Sequence, residues 1–260
     1  MRPSAAGLRF SEQEMEPSEY RRMRAAEERH WWYAGLHDLV VRWVRREAAR
    51  VGKPLDILDS GCGTGQLCTL LQPFGAITGC DIHPLALAAT TQRGIVRVVR
   101  HDLVADSLGT EQYDVITCMD VLYHRAVTDE RAALGNLHRA LRKGGLLLIQ
   151  VPAFNLLRGA HDVAVHTRRR YRRRELVRLL RETGFQVKLA SYRLFPFFLP
   201  AMLWRRLTRA DGGQPRSDLV RSFPPWMAQL LIVYIKAENR CLSVGVTLPL
   251  GTSVFAAARK

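Results

Sequence analysis

The stretch that most constrains this chain is Leu55 to Gly65, Leu-Asp-Ile-Leu-Asp-Ser-Gly-Cys-Gly-Thr-Gly, an apolar run that passes straight into a glycine-dense turn. The run around Ile57 and Leu58 suits a central parallel strand, and helix-forming residues resume from Gln66 to Leu71. Gly61, Gly63 and Gly65 remove side chains from the strand-to-helix turn, so a nucleotide-like ligand can touch backbone N–H groups at the helix N-terminus. The dinucleotide fingerprint would place its third glycine where Gln66 stands. The spacing is therefore GxGxG, not GxGxxG.

The segments that follow repeat the strand-then-helix alternation. Ala76 to Cys80 reads as a second strand ending in Asp81, about where a doubly wound domain holds the acid that bonds ribose hydroxyls. Further strands are expected at Val96–Arg100, ending near His101 and Asp102, at Tyr113–Cys118, before Met119 to His124, and at Leu146–Val151. Gly144 and Gly145 are expected to make the turn that closes the helix before this last strand.

On these residues the region from about Asp56 to Val151 resembles the class I S-adenosylmethionine-dependent methyltransferases. The matching motifs are Ile57 to Gly65, Gly79-Cys80-Asp81, Asp102, the Asp114 to His124 segment and Leu141-Arg142-Lys143-Gly144-Gly145. The resemblance implies a Rossmann-like, doubly wound α/β fold with a seven-stranded, mostly parallel sheet. It also implies S-adenosylmethionine as cofactor and S-adenosylhomocysteine as product. Gly61 and Gly63 would face the methionyl and ribose part, Asp81 the ribose and Asp102 the adenine amine. Asp59, Ile82, Leu103 and Met119 join this cofactor set. A carboxylate can accept two hydroxyl hydrogen bonds, and an exocyclic amine needs an acceptor, so the chemistry agrees. Structural roles stay open beside these: Asp59 as a buried acid tying down backbone, Asp81 and His83 as starters of the helix that Pro84 opens, and Asp102 as a turn residue.

A second layer of resemblance lies at the chain ends. Glu27 to Tyr33, with His30-Trp31-Trp32-Tyr33, precedes an amphipathic helix from about His37 to Arg50, and Leu248 to Ser253 leads into a last strand at Val254–Ala258. This is similar to a bacterial methyltransferase subgroup with a His-Trp-Trp-aromatic block, and it extends the likeness from about Met15 onward. Adjacent aromatics are costly to leave in water, so Trp31, Trp32 and Tyr33 should pack over the cofactor mouth, over the domain body, or both. In the family such segments often fold over the mouth, which would bring the Tyr33 hydroxyl to the methionyl carboxylate.

The chain has 260 residues, 47% of them hydrophobic, enough for a full core. We expect residues 1–50 as a helical extension or cap and residues 51–260 as the methyltransferase domain. Between a sixth strand at Phe185–Leu194 and the last strand, residues 195–247 read as a helical insertion on the acceptor side. It joins Phe195 to Trp204, a polar piece from Asp211 to Ser217, and an apolar helix from Pro225 to Asn239. Aromatic-rich helices beside arginines suit a lid over a hydrophobic pocket, a dimer interface or a membrane surface. Monomer and homodimer both stay open.

No signal peptide or spanning helix is read, and five cysteines without CxxC spacing suit a reduced, cytoplasmic protein, peripheral to the membrane if the insertion touches lipid. The net charge of +15, with a block at Arg168 to Arg174, suits an anionic surface, a phosphorylated substrate or a solvated face. Nucleic acid is disfavoured as partner: Cys118-Met119-Asp120-Val121 stands where amine-methylating nucleic-acid enzymes carry an Asn/Asp-Pro-Pro-aromatic loop.

A sulfonium methyl is already electrophilic, so a base is needed only if the nucleophile must lose a proton. Candidates are His124, His161 and His166, with Asp162 as an orienting acid. Tyr123, Arg169, Tyr171 and Trp32 are the candidate substrate contacts. No metal is expected, since positions five apart lie about 140° apart on a helix and on opposite faces of a strand. The reading is O-methylation of a small hydrophobic, lipid-linked or specialised metabolite, or of an anionic one. N- or C-methylation, a basic RNA methyltransferase and a catalytically silent binding module are the alternatives.

Overall fold

The computed structural model describes residues 24, 27, 30–208 and 224–260. The Asp211 to Ser217 piece and most of the chain before residue 30 lie outside the described residues.

Among the described residues, seven strands form one sheet: β1 (Leu55–Ser60), β2 (Gly75–Asp81), β3 (Arg97–Arg100), β4 (Tyr113–Met119), β5 (Leu141–Pro152), β6 (Gln186–Arg193) and β7 (Ser253–Arg259). Their spatial order is β3-β2-β1-β4-β5-β7-β6, with β7 antiparallel to both neighbours and the β1, β2, β3, β4 and β5 pairings parallel. The order reverses between β1 and β4, and the crevice above such a switch point is where open α/β sheets bind ligands.

The helices are α1 (Trp31–Val51), α2 (Gln66–Leu71), α3 (Pro84–Gln92), α4 (Glu130–Ala140), α5 (Ala160–Ala164), α6 (Arg173–Glu182), α7 (Phe198–Thr208) and α8 (Pro225–Ser243). Alternation of side chains along the central strands sends Ile57, Val115 and Leu148 to one face and Leu58, Ile116 and Ile149 to the other. The first face packs against α1 through Leu36, Leu39, Val40 and Val44, and the second against α4 and α6 through Leu134, Leu137, Leu176 and Leu180.

Two local outcomes differ from the sequence reading. The N-terminal helix begins at Trp31 rather than near His37, because the His30 Nδ1 accepts from Trp32 N at 3.3 Å and caps it. It contributes to the same core as β1 and β7. The second difference is at Gly144 and Gly145, which do not close a helix. The helix α4 ends at Ala140, Leu141 already pairs with Tyr113, and the glycines form an irregularity within β5 where register shifts between Tyr113 and Val115. Gly144 N donates to Lys260 O at 3.1 Å, and Lys260 N to Gly145 O at 3.1 Å, so the bulge is tied to the end of β7.

Within 195–247 the described residues form a short 3-10 turn at Phe195–Phe197, then α7 and α8. Helix α8 crosses α1 closely at Gly35, where a Cβ would lie 2.2 Å from Ile235 Cγ2. Asn239 of α8 donates to Gly35 O at 2.7 Å and to Asp38 Oδ2 at 2.9 Å.

Candidate active site

A cavity of about 840 Å³ opens above the C-terminal ends of β1, β2 and β4 and runs from the glycine turn to α7. That volume is near the top of the ~300–1,000 Å³ range of small-molecule sites.

The donor end is built almost entirely by local chain geometry. Gly61 N and Cys62 N both donate to Cys80 O, at 2.8 and 2.9 Å, which folds the turn back onto β2. Gly61 has φ +76°, and a Cβ there would meet Val121 Cγ2 at 2.1 Å, so the position requires glycine twice over. Asp81 accepts from Gly63 N at 3.1 Å and from His83 N at 3.0 Å, while His83 Nδ1 caps α3 by accepting from Leu85 N at 3.2 Å. Burial pushes the Asp81 carboxyl up to about 6 against the lowering effect of those N–H groups. Asp59 accepts from Thr117 Oγ1 at 2.6 Å and from Cys68 Sγ at 3.4 Å, and burial likewise pushes it up to about 6. Its partners are side chains, not the backbone groups expected of a structural acid there.

Asp102 lines the cavity, yet its Oδ1 also accepts from Val104 N at 2.8 Å and Ala105 N at 3.2 Å, holding the turn after β3. Gly61, Gly63, Ile82, Leu103, Met119 and Tyr33 all lie on the cavity wall. His101, a neighbour of Asp102 not among the residues expected from the sequence, also lines the cavity with its ring nitrogens buried. Desolvation lowers its pKa, against the charges of Asp106 and Asp102 and a hydrogen bond to the Asp106 backbone. A histidine beside a strand end carries no sequence signal for this. Glu27 is a further residue of the site: it accepts from Thr64 Oγ1, and Arg93, 3.3 Å from Glu27, donates to Thr64 O at 2.8 Å. Glu27 is thereby tied to the glycine turn. A side-chain-free cradle at Gly61, carboxylates at Asp81 and Asp102, the His101 imidazole and apolar walls together fit a polar adenosyl ligand.

The acceptor end draws on distant segments. Trp32, Tyr123, His124 and His161 line it, and Trp31, Phe197, Pro200 and Trp204 form its roof. Trp31 stacks on Phe197 with ring centroids 5.0 Å apart.

Other expected contacts are not brought to the wall. Tyr171 is fully buried, its hydroxyl donating to Glu130 Oε1 at 2.7 Å and lying 3.1 Å from Leu122 O. Arg169 lies 4.5 Å from the Tyr171 ring centroid and pairs with Glu130 and Glu175 at 3.6 and 3.7 Å. His166 faces the His124 ring at 6.0 Å, behind the wall. Asp162, the expected orienting acid, takes Arg170 at 2.8 and 3.1 Å and Gly159 N at 2.8 Å. Of the arginine block, Arg170 reaches the cavity, because Tyr171 bridges to Ala153 and turns its predecessor inward.

His124 is also limited as a base. Its Nδ1 accepts from Ala126 N at 3.1 Å, which assigns the proton of the neutral ring to Nε2. Burial, helped by His166 and Arg125, pushes its pKa down to about 4, so at neutral pH it presents an N–H donor.

The family comparisons agree with this geometry. The methyltransferase-domain family matches residues 29–189. A ubiquinone biosynthesis O-methyltransferase of Pseudomonas savastanoi pv. phaseolicola is 33% identical over 190 residues, covering 61% of this chain and 78% of that one. Its counterpart from Pseudomonas putida is 35% identical over 130 residues, covering 44% of this chain, and the match spans only 54% of that relative's length. Among solved structures, an S-adenosylmethionine-dependent methyltransferase of Thermotoga maritima superposes with TM-score 0.57 at 19% identity, covering 94% of this chain and 95% of that one. The Haemonchus contortus phosphoethanolamine N-methyltransferase 2, solved with S-adenosyl-L-methionine, gives TM-score 0.52 at 18% identity over 88% of this chain and 57% of that one. With its glycine turn, strand order and cavity in the family's arrangement, the chain belongs to the methyltransferase-domain family and is an S-adenosylmethionine-dependent methyltransferase.

Proposed function

We propose that the protein methylates a hydroxyl oxygen on a hydrophobic, lipid-linked small molecule. The observation that carries this reading is the acceptor end of the cavity, where Leu157, Val165, Phe197, Pro200 and Trp204 surround a few polar side chains. The names of the relatives, O-methyltransferases of ubiquinone biosynthesis, support the same acceptor class.

S-adenosylmethionine supplies an electrophilic methyl when bound. The chain's own share is binding, alignment and exclusion of water. Asp81 offers lone pairs to ribose hydroxyls, Asp102 and His101 serve the adenine end, and Ile82, Leu103 and Met119 enclose the flat ring. Tyr33 and Trp32 cover the methionyl side, and Tyr123, His124 and His161 stand around the acceptor's polar head. His124 Nε2–H donates to an acceptor oxygen.

The lipid tail leaves beneath α7. On that helix Leu199 and Leu203 are exposed one turn apart, and on α8 Trp226, Leu230 and Val233 share one exposed face. These faces rest on a lipid surface, with the cationic chain favouring anionic headgroups. Among the described residues no helix is long and apolar enough to cross a membrane.

Transfer of radiolabelled methyl from S-adenosylmethionine tests the reading, using catechols with and without a geranyl tail. Methylation of the tailed catechol, at least ~10-fold more efficient than of the bare one, is the expected result. Label that enters only amines or carbon acids contradicts it.

A further inference from the structure

We propose that Asp120 accepts the proton of the acceptor hydroxyl, and that a buried Arg193–Gln150 pair positions it. The assignment rests on the O-methylation reading above. Asp120 follows β4 at the sheet's switch point and lines the cavity. Its φ of 55° is left-handed, a conformation that aspartate tolerates better than most residues, and its N–H donates to Gln150 O at 3.0 Å.

The side-chain network determines which oxygen is left for a ligand. Arg193 is 1% exposed and its guanidinium bonds Gln150 Oε1 and, at 3.4 Å, Asn239 Oδ1. With its carbonyl occupied, the Gln150 amide must present its NH₂ group, which donates to Asp120 Oδ2 at 2.7 Å. Asp120 Oδ1 receives no hydrogen bond from the described residues and is the acceptor left on the cavity wall. An arginine acting through an amide thus orients the carboxylate without neutralising it by direct pairing.

The charges around it keep it ionised at neutral pH while leaving it basic. Burial pushes Asp120 up to about 6, and the Gln150 hydrogen bond with the charges of Arg193 and Arg170 pulls against that rise. The Tyr123 phenol and Cys118 thiol beside it are pushed up by burial and by Asp120 itself, so they stay protonated. An acid near the working pH is suited to proton acceptance, whereas His124 is already protonated at the nitrogen it presents. In the step, the acceptor oxygen forms a bond to the methyl carbon as the carbon–sulfur bond breaks. The electron pair of that bond goes to sulfur, and the hydroxyl proton goes to Asp120 Oδ1.

The test uses geranyl catechol and S-adenosylhomocysteine with wild type, Asp120→Asn and Asp120→Glu. In the S-adenosylhomocysteine complex, wild-type affinity for the catechol should rise with pH through about 6, and Asp120→Asn should bind ~10-fold or more weakly above pH 6 with no such rise. Turnover of Asp120→Asn should fall ~10²–10⁴-fold with S-adenosylhomocysteine affinity within about threefold of wild type, and Asp120→Glu should restore part of it. Catechol affinity and turnover of Asp120→Asn within threefold of wild type would overturn the assignment alone. Wild type that binds S-adenosylhomocysteine but neither binds nor methylates the catechol sinks the O-methylation reading, and the assignment with it. If Asp120→Asn does not fold, the wild-type affinity profile decides: a rise through about pH 6 supports the assignment and a flat profile from pH 5 to 7.5 overturns it.

Discussion

The two ends of the cavity are made in different ways. The donor end comes from the turn after β1, the turn after β2 and the acid after β3, each held by hydrogen bonds that span few residues or one strand neighbour. The acceptor end is assembled from residues near 31, 123, 161, 170 and 200, which meet only in the folded chain. A site of the first kind depends on backbone shape and tolerates little change. A site of the second kind can be altered by side-chain replacement on a fixed scaffold, which is how one fold serves many acceptors.

Variants at the donor end should therefore have the largest effect. Asp81→Ala removes the proposed acceptor for ribose and also frees Gly63 N, so turnover should fall by ~100-fold or more at a cofactor concentration that half-saturates wild type. Gly61→Ala places a methyl 2.1 Å from Val121 Cγ2 at a left-handed φ. It should cost ~1–3 kcal/mol, read as a lower midpoint in denaturant, and weaken cofactor binding as well.

At the acceptor end, Phe197→Ser with Trp204→Ser should raise KM for a tailed catechol ~10-fold and leave KM for the cofactor nearly unchanged. A larger effect on the cofactor would mean that the roof serves both ends. Arg169→Ala should change KM for the acceptor by less than about twofold, since its guanidinium packs on Tyr171 behind the wall.

A smaller effect concerns pH. Asp59 titrates near 6 in the folded state against 3.8 ordinarily, so the folded form holds the extra proton and stability falls as pH rises from about 4 to about 6. His37 and His124, both pushed down to about 4, act in the opposite sense across much of the same window. The Asp59 contribution is therefore read as a difference: Asp59→Asn should gain thermal stability relative to wild type between pH 4 and pH 7.

The same contrast explains what could be read from residues alone. The strand-turn-helix at Leu55 to Leu71 and the acid at Asp81 are contiguous signals, and the structure places them at the switch point of a seven-stranded sheet. Gly144-Gly145 looked like a helix stop because glycine serves a C-cap and a bulge equally well, and only pairing with Tyr113 and Lys260 separates the two. Tyr171 and Arg169 looked like substrate contacts because the arginine block has no periodicity that says which member turns inward. Asp120 and His101 were passed over for the opposite reason. Their settings depend on Gln150 and Arg193 across the sheet, or on burial of a ring, and neither leaves a trace in local sequence.

The most direct test of a backbone-built donor end beside a side-chain-built acceptor end is a parallel calorimetric titration of S-adenosylhomocysteine into wild type, Asp81→Ala and Phe197→Ser. The account predicts affinity lost by ~100-fold or more in Asp81→Ala and kept within about threefold in Phe197→Ser. Equal losses in both variants, or none in Asp81→Ala, would contradict it.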